Sequence, residues 1–134
     1  MAEKTKILIA DDEESLRVLL KAVMASEENF ELTEAVDGDD ALAKVKQDKP
    51  DILILDVMMP GQSGFEVCET IKADENLKDI KVVILTAKGQ ESDKEWADSV
   101  GADYFLSKPF SPLELLDLLK VIASENESTN NPRP

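Results

Sequence analysis

The chain has 134 residues, the usual size of one domain, and its hydrophobic content of 43% is enough for a core. The formal net charge of −14, from 29 acidic and 15 basic residues, argues against direct binding of nucleic acid or of an anionic membrane surface. The absence of histidine excludes Ser-His and Cys-His catalysis and most zinc sites, and a single cysteine, Cys68, excludes an intramolecular disulfide.

The start of the chain shows no targeting segment. Met1–Lys4 are not followed by the apolar stretch of a signal peptide. No apolar run approaches the roughly 20 residues that a membrane helix needs. We therefore expect a soluble, cytoplasmic protein that does not contact a membrane.

Short apolar or alternating segments predict five β-strands. In chain order they are Lys6–Ala10, Phe30–Ala35, Ile52–Leu55, Lys81–Thr86 and Tyr104–Ser107. The continuous apolar run Ile52–Leu55 indicates a central strand that is covered on both faces, whereas the alternation in Phe30–Ala35 indicates a strand nearer a sheet edge. A buried helix is the alternative for Ile52–Leu55, but the run is short and Pro60 cannot lie inside a helix.

Amphipathic patterns between the strands predict helices. The first has its apolar face at Leu16, Leu19, Leu20 and Val23. The second is capped in the turn Asp37–Asp39 and stopped at Lys49–Pro50, the third begins with Phe65 after the loop 61–64, and the fourth runs from about Glu91 or Ser92 to Val100.

The last helix has the clearest start signal in the chain. Ser111 fits the N-cap, Pro112 the first helical position, and Glu114 closes a capping box. We expect the helix to end at Ala123 and the folded domain to span residues 1–123. Residues 124–134 are apolar-free and are predicted to be a polar tail or the start of a linker.

Five alternating strand and helix units predict an α/β fold, a doubly wound parallel sheet with helices on both faces. In such a sheet the carboxyl ends of all the strands lie at one edge, and ligands bind at that edge. The polar residues that follow the predicted strands there are Asp11, Asp12, Asp56, Thr86 and Lys108. Each alone has an ordinary explanation, as a helix cap, a strand residue or a surface lysine; their convergence on one edge favours function.

Three carboxylates at one edge repel one another unless a cation offsets their charge. Hard oxygen ligands suit Mg²⁺, which often binds beside phosphate oxygens. A metal, the Lys108 ammonium and the Thr86 hydroxyl together make a site for phosphoryl transfer. In that site Asp56 can attack in line and become an acyl phosphate.

These residues make the chain resemble the receiver domains of two-component response regulators. The motifs that carry the resemblance are Asp11-Asp12, the block Asp51–Gly61, Thr86-Ala87, Gly101–Asp103 and Lys108–Phe110. They occur in order, with 30 residues from Asp56 to Thr86 and 22 from Thr86 to Lys108, and the resemblance covers about residues 4–123. It implies a flavodoxin-like (βα)5 fold with strand order 2-1-3-4-5.

The resemblance also implies a role for each motif. Asp56 matches the phospho-acceptor, which takes a phosphoryl group from a sensor histidine kinase or a histidine phosphotransfer protein. The Mg²⁺ ligands are Asp12, Asp56 and the backbone carbonyl of Met58, with Asp11 helping directly or through water; Mn²⁺ can substitute. Thr86 and Lys108 contact the phosphate, and the Lys108-Pro109 peptide bond is expected to be cis.

A population shift is the implied switching mechanism. Thr86 moves toward the phosphoryl group and Phe105 turns into the space it leaves. Tyr104 cannot take that part, because a one-residue shift places a side chain on the opposite face of the sheet. The surface formed by the fourth helix, the fifth strand and the last helix then changes its preference for a homodimer or a downstream protein.

The last helix carries more apolar residues than one face needs. Leu115 and Leu118 with Trp96 of the fourth helix suggest a dimer or partner face, and deeper burial is the alternative explanation. Met58 and Lys88 are expected to flank the water that hydrolyses the phosphorylated state. Because Met58 offers no side-chain hydrogen bond to that water, we expect slow self-dephosphorylation.

Other functions remain open at this point. A metal-dependent phosphohydrolase would need an acid two residues after the nucleophile, where Met58 stands. A nucleotide- or flavin-binding module would need a glycine-rich loop after the first strand, where Asp11-Asp12 would repel phosphate. A receiver that never turns over, and a receiver fragment of a larger response regulator with an output domain, are the remaining alternatives to a stand-alone signalling protein that is not an enzyme.

Overall fold

The computed structural model describes residues 4–59, 63–87 and 101–130 of the chain. Its strands and helices, in order, are β1 (Thr5–Ala10), α1 (Glu14–Met24), β2 (Phe30–Ala35), α2 (Gly38–Asp48), β3 (Ile52–Asp56), α3 (Gly64–Ala73), β4 (Lys81–Ala87), β5 (Tyr104–Lys108) and α4 (Pro112–Asn130). The predicted fourth helix, which ends at Val100 and contains Trp96, lies outside the described residues, as does Lys88. The label α4 therefore denotes the helix that the sequence analysis calls the last one.

The five strands form one parallel sheet in the order β2-β1-β3-β4-β5, which confirms the predicted topology. Every residue of the apolar strand β3 is buried, as expected of a strand covered on both faces. The alternating strand β2 lies at an edge, also as predicted. The sheet therefore places the ends of β1, β3 and β4 side by side at its centre.

Helices cover both faces of the sheet with separate apolar cores. Side chains of α2 and α3 pack on one face, which we call the first face, and those of α1 and α4 pack on the other, the second face. Successive residues of β3 alternate between them: Leu53 and Leu55 face α2 and α3, whereas Ile52 and Ile54 face α1 and α4. No helix in the described ranges combines the length and the apolar content that crossing a bilayer requires.

Side-chain caps fix three of the helix starts. The Asp37 carboxylate accepts from the Asp40 amide at 2.8 Å, as the sequence predicted. The predicted capping box of α4 is also present, with the Glu114 amide 3.1 Å from the Ser111 hydroxyl and the Ser111 amide 3.4 Å from Glu114. A second capping box, between Ser63 and Glu66, starts α3 and was not predicted.

The predicted face of α1 is partly wrong. Leu19 was assigned to the core, but it is 46% exposed, whereas the side chain of Arg17 is buried together with Leu20 and Met24. The other three predicted residues, Leu16, Leu20 and Val23, pack on the second face as predicted. Arg17 can join the buried stripe because its guanidinium finds partners inside the protein.

The predicted end of the last helix at Ala123 is also wrong, because α4 continues to Asn130. A helix that is already nucleated gains one hydrogen bond per added residue, and no glycine or proline interrupts the segment before Pro132. Deeper burial accounts for most of its apolar surplus: Leu115 is 0% exposed, so it cannot belong to a partner face. Leu113 and Val121 remain exposed, and Leu118 is half-buried.

The start of α3 packs directly against the end of β3. A Cβ atom on Gly64 would lie 2.4 Å from the backbone oxygen of Asp56, and the Gly64 amide donates to the Val57 carbonyl at 3.2 Å. Since neither neighbour is a flexible side chain, only glycine fits at this position without moving the backbone that carries Asp56.

We expect the substitution Gly64→Ala to lower the free energy of unfolding by about 3 kcal/mol, because the clash is with backbone atoms. Gly101→Ala is the matched control: its φ of +86° is strained for alanine, but the new Cβ would meet only the Lys72 side chain at 3.3 Å. We expect that control to cost about 1 kcal/mol. Urea denaturation measures both, and equal costs would contradict the close-packing argument.

Candidate functional site

The carboxyl ends of the strands bring the predicted site residues together. Asp11 and Asp12 follow β1, Asp56 ends β3, and Thr86 lies near the end of β4. Each of the three aspartates offers one carboxylate oxygen, and these atoms all lie within 4.8 Å of one another. The parallel sheet therefore builds the acidic cluster that the sequence predicted.

Lys108 provides the positive charge at this cluster. Its Nζ lies 3.1 Å from Oδ2 of Asp11 and 3.2 Å from Oδ2 of Asp56. The parallel register that pairs Lys108 with Ala87 of β4 carries it to this edge. Burial acts to lower the pKa of Lys108, but the carboxylates of Asp56 and Asp11 outweigh it, so the pKa is raised and the ammonium form is held.

Asp56 is a buried carboxylate with conflicting neighbours. Asp56 is only 6% exposed. Burial is the largest cause that raises the pKa of its carboxyl from 3.8 to about 6, and the charge of Asp11 is the second. The Lys108 ammonium and the amide of Met58, which donates to Oδ1 at 3.3 Å, act in the opposite direction. The charged form of Asp56 is therefore costly in the protein alone and would gain from a further cation.

Asp11 and Asp12 differ in exposure. Asp11 is 0% exposed, and its Oδ1 accepts from the Glu13 amide at 2.9 Å while Oδ2 faces Lys108. One carboxylate oxygen of Asp11 therefore accepts from the turn before α1, and the other pairs with Lys108. Asp12 is exposed, so its carboxylate is open to a ligand from solvent.

The predicted switch residues lie on β4 and β5. Thr86 is buried at 4% exposure, and the half-buried Phe105 packs against the apolar core of the first face. Tyr104 packs on the second face and donates to the Glu125 carboxylate, so the two aromatic residues are on opposite faces, as predicted. The Lys108-Pro109 peptide bond is cis, which confirms that expectation.

Two residues that matter to the site were not singled out from the sequence. Gly64 packs against the carbonyl of Asp56, and its only sequence signal was a glycine in a loop after the acidic block. Arg17 donates to the carbonyl of Asp11, and its signal was its helical spacing with Leu20 and Met24. Met58, whose backbone carbonyl is a predicted Mg²⁺ ligand, is 75% exposed.

The donor set fits a hard divalent cation. Among the described residues, three clustered carboxylates have one ammonium beside them, that of Lys108, which contacts the two buried ones, Asp11 and Asp56. The described part of the site therefore has an excess of negative charge. Oxygen donors of this kind are the ligands of Mg²⁺ and Mn²⁺ rather than of softer metals.

Comparison with known proteins identifies the family. The profile described as "Response regulator receiver domain" matches residues 7–120. The chain belongs to the response regulator receiver family. Receivers are signalling domains that bind Mg²⁺ in general and interact with histidine kinases and downstream targets.

Curated relatives support this membership. The receiver is 43% identical over 122 residues to the phosphate regulon transcriptional regulatory protein PhoB of Pseudomonas aeruginosa, covering 91% of this chain and 52% of that protein. It is 38% identical over 127 residues to the transcriptional regulatory protein ResD of Bacillus subtilis, covering 95% of this chain and 51% of that protein. The chain therefore spans about half the length of these curated relatives.

Solved structures show the same fold over their whole length. Chemotaxis protein CheY4 of Vibrio cholerae superposes with a TM-score of 0.81 at 32% identity, covering 89% of the receiver and 98% of CheY4. The receiver domain of the Francisella response regulator 1452 superposes with a TM-score of 0.83 at 28% identity, covering 92% of the receiver and 99% of that chain.

We expect Asp56→Asn to stabilise the metal-free receiver above about pH 6. The folded state binds the Asp56 proton more tightly than the unfolded state does, so the charged carboxylate costs stability once the pH exceeds its raised pKa. A shift from 3.8 to about 6 corresponds to a gain of about 3 kcal/mol at about pH 7.5, which shrinks toward zero as the pH falls to about 4.

Urea denaturation in the presence of a chelator, repeated across this pH range, measures the gain. Asp12→Asn is the control, since the exposed Asp12 carboxylate suffers little desolvation. A gain for Asp56→Asn that is the same at about pH 5 as at about pH 7.5 would show that titration of Asp56 is not its source.

Proposed function

We propose that this receiver accepts a phosphoryl group on Asp56 from the phosphohistidine of a sensor histidine kinase or of a histidine phosphotransfer protein. The observation that carries the proposal is the position of the Lys108 ammonium, within 3.2 Å of carboxylate oxygens of both Asp11 and Asp56. A lysine so placed lies beside the oxygen that would attack phosphorus, where the charge of the phosphoryl group develops.

In the proposed reaction a carboxylate oxygen of Asp56 forms a bond to phosphorus while the bond from phosphorus to the histidine nitrogen breaks. The electron pair leaves with the imidazole, which then takes a proton from solvent. Lys108 binds one phosphoryl oxygen, and the Thr86 hydroxyl donates to another. The product is an acyl phosphate on Asp56, and the receiver acts as a signalling acceptor rather than as an enzyme with its own turnover.

Asp11, Asp12, Asp56 and the backbone carbonyl of Met58 would hold Mg²⁺ at this site. When bound, the metal supplies positive charge for the phosphoryl oxygens. Mn²⁺ can substitute, because it prefers the same hard oxygen ligands. The support for this ligand set is the cluster of three carboxylates, of which Lys108 contacts two.

Phosphorylation is proposed to change the surface that partners recognise. Thr86 would turn toward the phosphoryl group and Phe105 inward, altering the surface of β5 and α4; the predicted fourth helix of this surface lies outside the described residues. Exposed Leu113 and Val121 are the apolar side chains that α4 offers there to a second copy or to a downstream protein. Phosphotransfer with a kinase's cytoplasmic domain would place the receiver in the cytoplasm, and the net charge of −14 disfavours a nucleic acid as its direct partner.

The alternatives make different use of the same site. A phosphohydrolase needs a general acid near the nucleophile, and the residue two positions after Asp56 is the exposed Met58. A receiver that folds but does not turn over would not need three aspartates, a threonine and a lysine at one strand edge. A receiver that is part of a larger response regulator with an output domain would use this site in the same way.

Incubation with acetyl phosphate or phosphoramidate is expected to add one phosphoryl group in the presence of Mg²⁺, as measured by intact-mass spectrometry. The gain should vanish with a chelator and in Asp56→Ala. Asp51→Asn, at the other end of the same strand, is the control that should label normally. No gain from a folded protein would favour the inactive receiver, and steady phosphate release without a lasting adduct would favour the phosphohydrolase.

The phosphorylated state is expected to hydrolyse slowly and to lose phosphate faster in Met58→Asn. The asparagine side chain can orient the attacking water, which we expect to raise the rate roughly tenfold. Because Met58 is 75% exposed, the substitution should not disturb the core. Met58→Leu is the matched apolar control, and phosphate release that is no faster in the Asn variant than in the Leu variant would contradict the proposed role of this position.

A further inference from the structure

Arg17 is a buried charge in a helix that otherwise packs apolar residues on the sheet. Its side chain is 10% exposed, and its neighbours on the buried face of α1 are Leu20 and Met24. Burying a guanidinium costs free energy unless hydrogen bonds and an opposite charge compensate it. The partners that compensate Arg17 therefore indicate what the residue does.

The guanidinium has one partner in the acidic site and one outside it. A terminal nitrogen donates to the backbone carbonyl of Asp11 at 2.6 Å, and Nε donates to Oε1 of Glu34 at 3.1 Å. The other oxygen of Glu34 accepts from Lys21 at 3.1 Å, and these two cations lower the pKa of Glu34, Lys21 more than Arg17. The Glu34 carboxylate therefore stays charged and holds the planar guanidinium of Arg17 in place.

The carbonyl that Arg17 contacts belongs to the peptide that joins Asp11 to Asp12. The amide of Asp11 donates to Ala35 at 3.3 Å, and its carboxylate is held by Glu13 and Lys108, so Arg17 supplies the remaining backbone contact of this residue. Within the described ranges, by contrast, no hydrogen bond or ion pair holds the Asp12 carboxylate. The direction in which Asp12 points therefore depends on the backbone that Arg17 fixes.

We infer that Arg17 is a positioning residue for the divalent cation of the receiver. By holding the Asp11-Asp12 peptide against Glu34 of β2, it fixes the backbone from which the Asp12 carboxylate projects and so sets the affinity of the site for Mg²⁺. This inference rests on the proposed metal site. It assigns to Arg17 no contact with the metal or with the phosphoryl group.

Charge and geometry have opposite effects here, which makes the inference testable. Removing the positive charge of Arg17 would by itself strengthen the binding of a cation. Removing the guanidinium would also free the Asp11-Asp12 peptide, and this loss of geometry would weaken the binding of the cation. Arg17→Lys keeps the charge but cannot place two fixed N–H groups on the Asp11 carbonyl and on Glu34 at once, so it isolates the geometric effect.

The experiment is a calorimetric titration of Mg²⁺ into the wild-type receiver and its variants. We expect the Kd of Arg17→Lys to rise roughly tenfold, as is usual when a residue that orients metal ligands is lost. Lys21→Met is the matched control: it removes the other ion pair of Glu34 but leaves the Asp11 carbonyl bonded, and its Kd should stay within about twofold of wild type.

Labelling by acetyl phosphate gives a second readout. In Arg17→Lys the Mg²⁺ concentration for half-maximal labelling should rise with the Kd, while the maximal rate at saturating Mg²⁺ stays near that of wild type. A general loss of structure would instead lower the maximal rate and the fraction of protein that binds.

A folded Arg17→Lys with the wild-type Kd would overturn the inference. If that variant does not fold, Arg17→Gln takes its place, and weaker Mg²⁺ binding there supports positioning because the lost charge acts in the opposite direction. Unchanged or tighter binding in Arg17→Gln would overturn the inference. A wild-type receiver that binds no Mg²⁺ would overturn the proposed metal site itself, which distinguishes the two failures.

Discussion

The shared ion pair of Lys108 with Asp11 and Asp56 is the interaction on which the site depends. In the part of the chain that the structure describes, Lys108 contacts the two buried carboxylates and the exposed third, Asp12, has no cation against it, so negative charge is in excess. Lys108 offsets part of the repulsion between Asp11 and Asp56, yet burial first, and the charge of Asp11 second, still raise the pKa of Asp56 to about 6. A cation bound among the carboxylates would therefore stabilise the folded state, because it would offset the negative charge that remains there.

The sheet tolerates this conflict because β1 and β3, which position Asp11 and Asp56, are deeply buried. The apolar residues of β3 and those of β1 from Ile7 onward are at most 1% exposed, and helices cover both faces of these strands. A rigid scaffold can hold groups whose charges oppose one another, and sites of this kind reduce stability in exchange for function. Gly64 has a similar part, since the close approach of α3 to the Asp56 carbonyl leaves no room for any other residue.

The sequence was sufficient for those features that local pattern and strand direction determine. A buried parallel strand is continuously apolar, as in Ile52–Leu55, and parallel strands end at one edge, so the convergence of Asp56, Thr86 and Lys108 could be predicted. Arg17 could not, because its partners are a backbone carbonyl and Glu34, a carboxylate 17 residues away on another element. Likewise, the exposure of Leu19 depends on tertiary packing and the end of α4 on helix propagation, and the periodic pattern of apolar residues predicts neither.

The placement of β5 suggests how a change at the strand edge reaches the surface. Its residues alternate between the two layers: Phe105 packs into the core of the first face, while Tyr104 packs on the second face and is tied to Glu125 of α4. Its last residue, Lys108, bonds to the carboxylates of Asp11 and Asp56. A new charge on Asp56 would alter the forces on Lys108 directly, and a strand cannot shift without moving the side chains on both of its faces. The edge strand β5, which completes the acidic site with Lys108, is therefore also the element that would carry the effect of a phosphoryl group on Asp56 to the helices on both faces of the sheet.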